Sequence, residues 1–200
     1  MLEKVPECDK SFLDFTPNRL SKSIFLNPVS ENEVIHVCLS LNNSNSTGID
    51  DRNTTVIKKI IYTISSPLTY IFNLSLATGK VPSKLKIAKV IPLFKKGDCQ
   101  SVANYRPISI LPCFSKILEK CVHKRIDNFL SLNNLLCTNQ FGLRPNHGTV
   151  HALIDLTDRI INSPTESKHV MGVCIDLSKA FDTLDHFHSL FQITAIWYPR

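Results

Sequence analysis

The segment Val170-Met171-Gly172-Val173-Cys174-Ile175-Asp176-Leu177-Ser178-Lys179-Ala180-Phe181-Asp182 decides how this chain is read. Its first half is apolar and rich in β-branched residues, the pattern of a buried strand. It ends in an acid, Asp176, and a helix start follows at once: Ser178 can cap the turn that Lys179 to Phe181 begin. A carboxylate at the end of a dry strand is costly unless it is paired, hydrogen-bonded or holding a metal ion. Alone, the pattern suits a helix cap or a salt bridge as well as a metal ligand.

Composition narrows the field without deciding it. Two hundred residues with 43% hydrophobic content make one domain, or parts of two, with enough apolar mass for a core. A formal charge of +6, from 23 basic against 17 acidic residues, suits a polyanionic partner. Seven scattered cysteines with no C-x-x-C pair are the pattern of reduced thiols in an intracellular protein, cytoplasmic or nuclear. His147 with His151, and His186 with His188, lack companions at zinc spacing and read as surface or groove histidines. Met1 to Glu7 lacks the apolar core of a signal peptide. Val56 to Leu76 is the most membrane-like window, but Lys58, Lys59, Asn73 and Pro67 interrupt it. Two amphipathic helices are expected there, and no membrane.

Upstream of the opening segment, the pattern alternates helix and strand. Ser30 and Glu33 form a capping box before a helix whose Val34, Val37, Cys38 and Leu41 face a core. Asn42 to Asp51 is a polar loop, and Asp50-Asp51 reads as a turn or helix start. Val56, Ile57, Ile60, Ile61 and Ile64 mark a second helix, Pro67 opens a third, and Gly79 closes it. Ile87 to Phe94 and a strand around Tyr105 to Ile110 make a hairpin tipped by Lys95-Lys96-Gly97-Asp98. Its lysines suit a solvated turn, or mobile cations closing over a triphosphate. Arg106 sits inside a strand, where its planar fork can grip phosphate oxygens.

Pro112 begins a long amphipathic helix with the stripe Phe114, Ile117, Leu118, Cys121, Val122, Ile126, Phe129 and Leu130. Its Lys116, Lys120, Lys124 and Arg125 suit a template backbone or a solvated face. Gln140-Phe141-Gly142-Leu143-Arg144 joins a glycine that permits close backbone approach to side chains that bond phosphate, sugar or base edges. Thr149 then caps a core-facing helix carrying Val150, Leu153, Ile154, Leu156, Ile160 and Ile161.

Four blocks stand in a set order: Lys86 to Asp98, Asn104 to Ser109, Gln140 to Arg144, and the Asp176 segment. On these, from about Phe25 to about His188, the chain resembles the reverse transcriptases of non-LTR (LINE-like) retrotransposons. Gly48-Ile49-Asp50 is similar to a Ser-Pro-Gly-x-Asp loop of that family. The resemblance implies an α+β fold: the fingers and the beginning of the palm of a right-hand polymerase, truncated before the second catalytic motif. Residues 1–23 are then a tail or linker, 24–80 a helical N-terminal extension and 81–168 a fingers-like region. Residues 169–192 are the first palm strand and helix, and 193–200 a divergent end.

The same resemblance implies RNA-templated DNA synthesis. Its partners are an RNA template, a DNA primer and deoxynucleoside triphosphates, with no obligate protein partner. Asp176 would be catalytic, bridging two Mg2+ ions about 3.5–4 Å apart, with the main-chain carbonyl of Leu177 as a further ligand. Arg106 and one of Lys95 and Lys96 would hold the incoming nucleotide. Phe181 would lie under its sugar and block a 2′-hydroxyl, and Gln140, Gly142 and Arg144 would follow the template. Asp182 reads as structural. No Tyr/Phe-x-Asp-Asp follows Asp182, residues 191–200 depart from the family's Tyr-Gly-Ile segment, and Asn146-His147-Gly148-Thr149 departs from its Gly-x-Ser-Thr. The expectation is a truncated or decayed element copy, or a gene-model fragment, without polymerase activity and with an exposed sheet edge and marginal stability. The rival reading is a basic module that holds RNA or DNA without chemistry. A phosphotransferase of another class is disfavoured, because no Gly-rich phosphate loop is present.

Overall fold

The computed structural model describes residues 23–162 and 171–176. The chain divides into one unit of Phe25–Phe129 and a second made of the residues on either side. In the first unit lie α1 (Glu31–Ser40), α2 (Thr54–Thr78), the one-turn α3 (Ser83–Lys86), β1 (Lys89–Phe94), β2 (Tyr105–Ile110) and most of α4 (Cys113–Leu132). Helices and a small antiparallel sheet together match the expected α+β class.

α1 starts where Ser30 Oγ accepts the Glu33 N–H at 3.2 Å, satisfying one of the orphan donors of the first turn. The capping box is only half made, because the Glu33 carboxylate is turned to Arg125. Val34, Val37 and Cys38 are buried as their spacing predicts, and Leu41 ends the row.

Where two helices were expected around Pro67, there is one 25-residue helix running through it. An interior proline removes one ladder hydrogen bond and crowds the preceding turn. The buried row Ile57, Ile61, Ser65, Leu68, Phe72 and Ser75 continues unbroken across it, so packing outweighs the local cost. Ser65 Oγ also donates to Glu31 of α1. Gly79 closes α2 with φ 67°, in the left-handed region. By length and composition α2 is apolar enough to cross a membrane; in this unit it packs along α1 and supplies the centre of the core.

Residues 27–29 are fixed from two sides. The Val29 N–H donates to Asn73 Oδ1 at 2.7 Å, and its carbonyl accepts from Asn73 Nδ2 at 2.9 Å. From α4, Arg125 Nε donates to the Asn27 carbonyl at 2.6 Å. Its two terminal nitrogens grip Glu33 at 2.8 and 2.9 Å and also reach the carbonyls of Cys121 and Pro28. All five guanidinium N–H groups thus have acceptors. Arg125 is therefore neither a template-tracking nor a solvated cation; it is an internal fork.

α4 adds Cys113, Ile117, Leu118 and Cys121 to the core, while Val122, Ile126, Phe129 and Leu130 are only half-buried. Ser115 Oγ donates to the Leu85 carbonyl, tying α3 to α4. A Cβ on Gly48 would lie 3.0 Å from the Pro112 nitrogen, so the loop before α2 makes its close approach as glycine. Burial pushes the Cys38 and Cys121 thiols up to about 11 and raises Cys113 as well. Among the described residues every cysteine is a free thiol.

The second unit departs further from expectation. α5 (Thr149–Asn162) has a pronounced apolar stripe, but Val150, Leu153, Ile154, Leu156, Ile160 and Ile161 are all exposed. It begins one residue earlier than a Thr149 cap requires: the Gly148 carbonyl accepts the Ala152 N–H at 3.2 Å. Residues 171–176 form no strand, and Met171, Val173 and Ile175 stand 86%, 74% and 82% exposed. The physical reason is shared. A stripe or a β-patterned run buries itself only against another layer, and among the described residues no element covers either. Ser178, Asp182 and residues 193–200 lie outside the described residues.

Arg125 holds the Glu33 carboxyl below its usual 4.5, chiefly through their hydrogen bonds. A carboxyl with a depressed folded pKa stabilises above its unfolded pKa and loses that contribution as pH falls through the folded one. Glu33→Gln should therefore cost about 1–3 kcal/mol near pH 7, read by urea unfolding. The difference from the parent should narrow steadily below 4.5; a difference constant down to about pH 3 would exclude the ion pair as its source. Iodoacetamide at mildly alkaline pH should modify the exposed Cys99, Cys137 and Cys174 well before the buried Cys38, Cys113 and Cys121. Equal rates would contradict this core.

Candidate nucleotide and nucleic-acid site

The hairpin is built as its sequence predicts. β1 and β2 pair antiparallel, from Lys89 opposite Ile110 to Phe94 opposite Tyr105. Pro92 lies opposite Pro107; neither has an N–H to give, so this pair fits a non-hydrogen-bonded site of the ladder. Phe94 and Tyr105 stack across the strands at 5.4 Å between ring centroids. The ladder runs one step further, the Lys95 N–H donating to the Asn104 carbonyl at 2.8 Å. By the two-residue alternation of a strand, Lys95 then shares a face with Leu93 and with Arg106 opposite it. Lys96 falls in the bend beyond. All three cations are exposed, and none is in an ion pair among the described residues.

The tip between the strands is braced from within. Asp98 Oδ1 accepts the Gln100 N–H, Asn104 Nδ2 donates to the Asp98 carbonyl, and Tyr105 Oη donates to the Cys99 carbonyl. Gly97 has φ 94°, and a Cβ there would meet Asn104 Nδ2 at 2.8 Å. The sequence reading missed the part of Asn104 and Tyr105; their position directly before Arg106 was the available signal.

In the second unit, Gln140, Gly142 and Arg144 lie in one loop. Gln140 Nε2 donates to the Gly142 carbonyl and Arg144 donates to the Cys137 carbonyl. Leu143 between them has φ 57° and is 95% exposed, an uncommon conformation for a bulky residue. Phe141, His147 and His151 follow as a ring series, with centroids 6.2 and 6.0 Å apart. Among the described residues no third metal-binding side chain joins these two histidines.

Asp176 is exposed and not at the tip of a strand, which corrects its expected setting. Among the described residues no ion pair engages it, and no three His, Cys, Asp or Glu side chains gather into a metal site. One carboxylate does not make a two-ion site. Leu177 and Phe181 lie outside the described residues. The structure thus gathers Lys95 with Arg106, and Gln140 with Gly142 and Arg144, each within its own unit.

A family model for reverse transcriptase (RNA-dependent DNA polymerase) matches residues 94–200. This chain belongs to the reverse transcriptase family. It is 29% identical over 175 residues to a probable RNA-directed DNA polymerase from transposon BS of Drosophila melanogaster, covering 87% of this chain and 19% of that protein. The RNA-directed DNA polymerase of the mobile element jockey, from the same species, is 29% identical, covering 66% and 15%. A retrovirus-related Pol polyprotein from the type-1 element R2 of Popillia japonica is 31% identical, covering 56% and 15%. These relatives mark a reverse transcriptase of the non-LTR retrotransposon kind. The chain spans less than a fifth of their length. Divalent metal ions are general to reverse transcriptases.

In this reverse transcriptase chain, Gly97→Ala should loosen the hairpin tip by about 1–3 kcal/mol through backbone strain. The expected readout is faster amide hydrogen exchange at Lys95 and Arg106 with α2 unchanged. Unaltered exchange at both would show that the tip does not need its glycine.

Proposed function

We propose that this chain supplies the nucleotide-gripping hairpin, the template-facing loop and the first catalytic carboxylate of an RNA-directed DNA polymerase that copies RNA from a DNA primer. The observation that carries the reading is the shared face of Lys95 and Arg106, exposed and unpaired, in a chain of this family. A guanidinium fork and an ammonium on one face suit the oxygens of a triphosphate. Of the two lysines, Lys95 takes this part, because Lys96 belongs to the bend. Gln140, Gly142 and Arg144 contact the template, with the neighbouring rings available to its bases. Asp176 is one ligand of a Mg2+ site, with the Leu177 carbonyl beside it, and Phe181 sets the sugar preference. The described residues hold one carboxylate of such a site.

A second reading is favoured by the basic charge and by the lack of a Tyr/Phe-x-Asp-Asp in these residues: on its own, this chain binds without chemistry. Primer extension on poly(rA)/oligo(dT) with Mg2+ should show no product above background, and clear extension would overturn this point. In equilibrium binding of deoxythymidine triphosphate, Lys95→Gln and Arg106→Gln should each weaken affinity about 10-fold or more. Lys96→Gln should have less effect; equal loss at Lys96 would break the assignment of Lys95.

A further inference from the structure

The turn that follows Gln140–Arg144 brings together two histidines four residues apart in sequence. The His147 N–H donates to the Arg144 carbonyl at 3.2 Å, and Asn146 before it has φ 59°. Asparagine tolerates this left-handed geometry. The turn sets His147 beside His151 in the first turn of α5, with ring centres 6.0 Å apart. His147 Nδ1 lies 2.9 Å from the Pro145 carbonyl. A carbonyl only accepts, so Nδ1 carries the hydrogen and Nε2 is left with the lone pair. Metal-bound histidines are oriented in this way, the second ring nitrogen donating to a carbonyl, a carboxylate or water. Both histidines are exposed. Asp155, one turn beyond His151, is held by Arg159 at 3.0 Å and is no part of the pair. The pair falls where Asn146-His147-Gly148-Thr149 departs from the family's Gly-x-Ser-Thr, so it belongs to this chain rather than to the polymerase pattern.

We infer that His147 and His151 form a site for a divalent transition-metal ion of the Zn2+ class, separate from the Mg2+ proposed at Asp176. The inference rests on the ring geometry and not on the polymerase reading. With Zn–N bonds of about 2.0–2.1 Å, an ion shared by two imidazoles sets their ring centres at most about 6.4 Å apart. The observed 6.0 Å lies inside that limit. Imidazole nitrogen suits Zn2+, Cu2+ and Ni2+, whereas Mg2+ takes oxygen ligands. Among the described residues there is no third protein ligand, so water or an incoming anion completes the shell, as in an open zinc site. One nitrogen comes from the turn and the other from α5, so the bound ion clamps the turn to the helix. His147 is also linked to the preceding loop through the Arg144 carbonyl and the Phe141 ring, 6.2 Å away. Ion binding therefore stiffens the Gln140–Arg144 loop.

The test is calorimetric titration of the full chain with Zn2+. Cys8→Ser, Cys99→Ser, Cys137→Ser and Cys174→Ser together serve as the background, so that these thiols do not compete. His147→Asn and His151→Asn should each weaken Zn2+ binding about 10-fold or more, because a chelating pair becomes a single ligand. His36→Asn with His123→Asn should leave the affinity unchanged. An equal loss in that control, or no loss at His147 and His151, would overturn the site. Loss only with His186→Asn and His188→Asn would place the ion on that other pair and overturn it as well. Labelling of the unaltered protein with diethyl pyrocarbonate removes any dependence on variants that fold poorly. Zn2+ should protect His147 and His151 and leave the exposed His36 and His123 reactive; equal labelling of all four would count against the inference. Zn2+ should also slow amide hydrogen exchange at Gly142 and Arg144, and Mg2+ should not. Unchanged exchange with Zn2+ bound would overturn the clamp.

Discussion

The Phe25–Phe129 unit depends on one guanidinium group. Arg125 is the place where α4, α1 and the irregular segment before α1 meet, and it fixes them through donors that are all engaged. The carbonyls of Asn27 and Pro28 belong to an irregular segment, where backbone groups have no ladder to join. Arg125 serves them from one side and Asn73 of α2 serves Val29 from the other. A lysine could replace the charge but not this fan of planar donors. The consequence reaches the functional elements, because α4 fixed in this way holds α3 through Ser115, and β1 starts only two residues after α3 ends.

That inward use of one cation clarifies the rest. A basic helix read from sequence offers a set of equivalent charges, yet burial separates them. Arg125 is 13% exposed at its side chain and neutralised. Lys120 and Lys124 before it remain exposed, and among the described residues neither is in an ion pair. The hairpin repeats the division on a smaller scale: the Asp98 carboxylate accepts the Gln100 N–H of the tip, and among the described residues neither Lys95 nor Arg106 is in an ion pair.

How much of this was legible in the sequence depended on how local the cause was. The Ser30 cap, the Gly79 stop, the hairpin strands and the core row of α1 follow from neighbours a few residues away, and they stand as read. The single α2 was misread because the proline signal is local while the row that overrides it spans the whole helix. Arg125 was misread because its partner is 92 residues away and no pattern on α4 distinguishes it from Lys124. Lys95 could be separated from Lys96 only once the ladder was seen to continue to Asn104. The Asp176 segment was legible as a family motif, but its surroundings were not, since a motif fixes residue types and not what packs around them.

The same argument explains the uneven distribution of burial. Among the described residues the largest fully enclosed side chains, Phe72, Ile57, Ile61, Ile117, Val34, Cys38, Cys121 and Ser65, all belong to Phe25–Phe129. α5 has apolar residues at ideal helical spacing and buries none of them. Amphipathic pattern is a capacity for burial, and the free energy is realised only when a second surface removes water from the stripe. Resistance to opening must then reside in the three-helix core held by Arg125, with α5 and the Asp176 segment at the low end of the stability range.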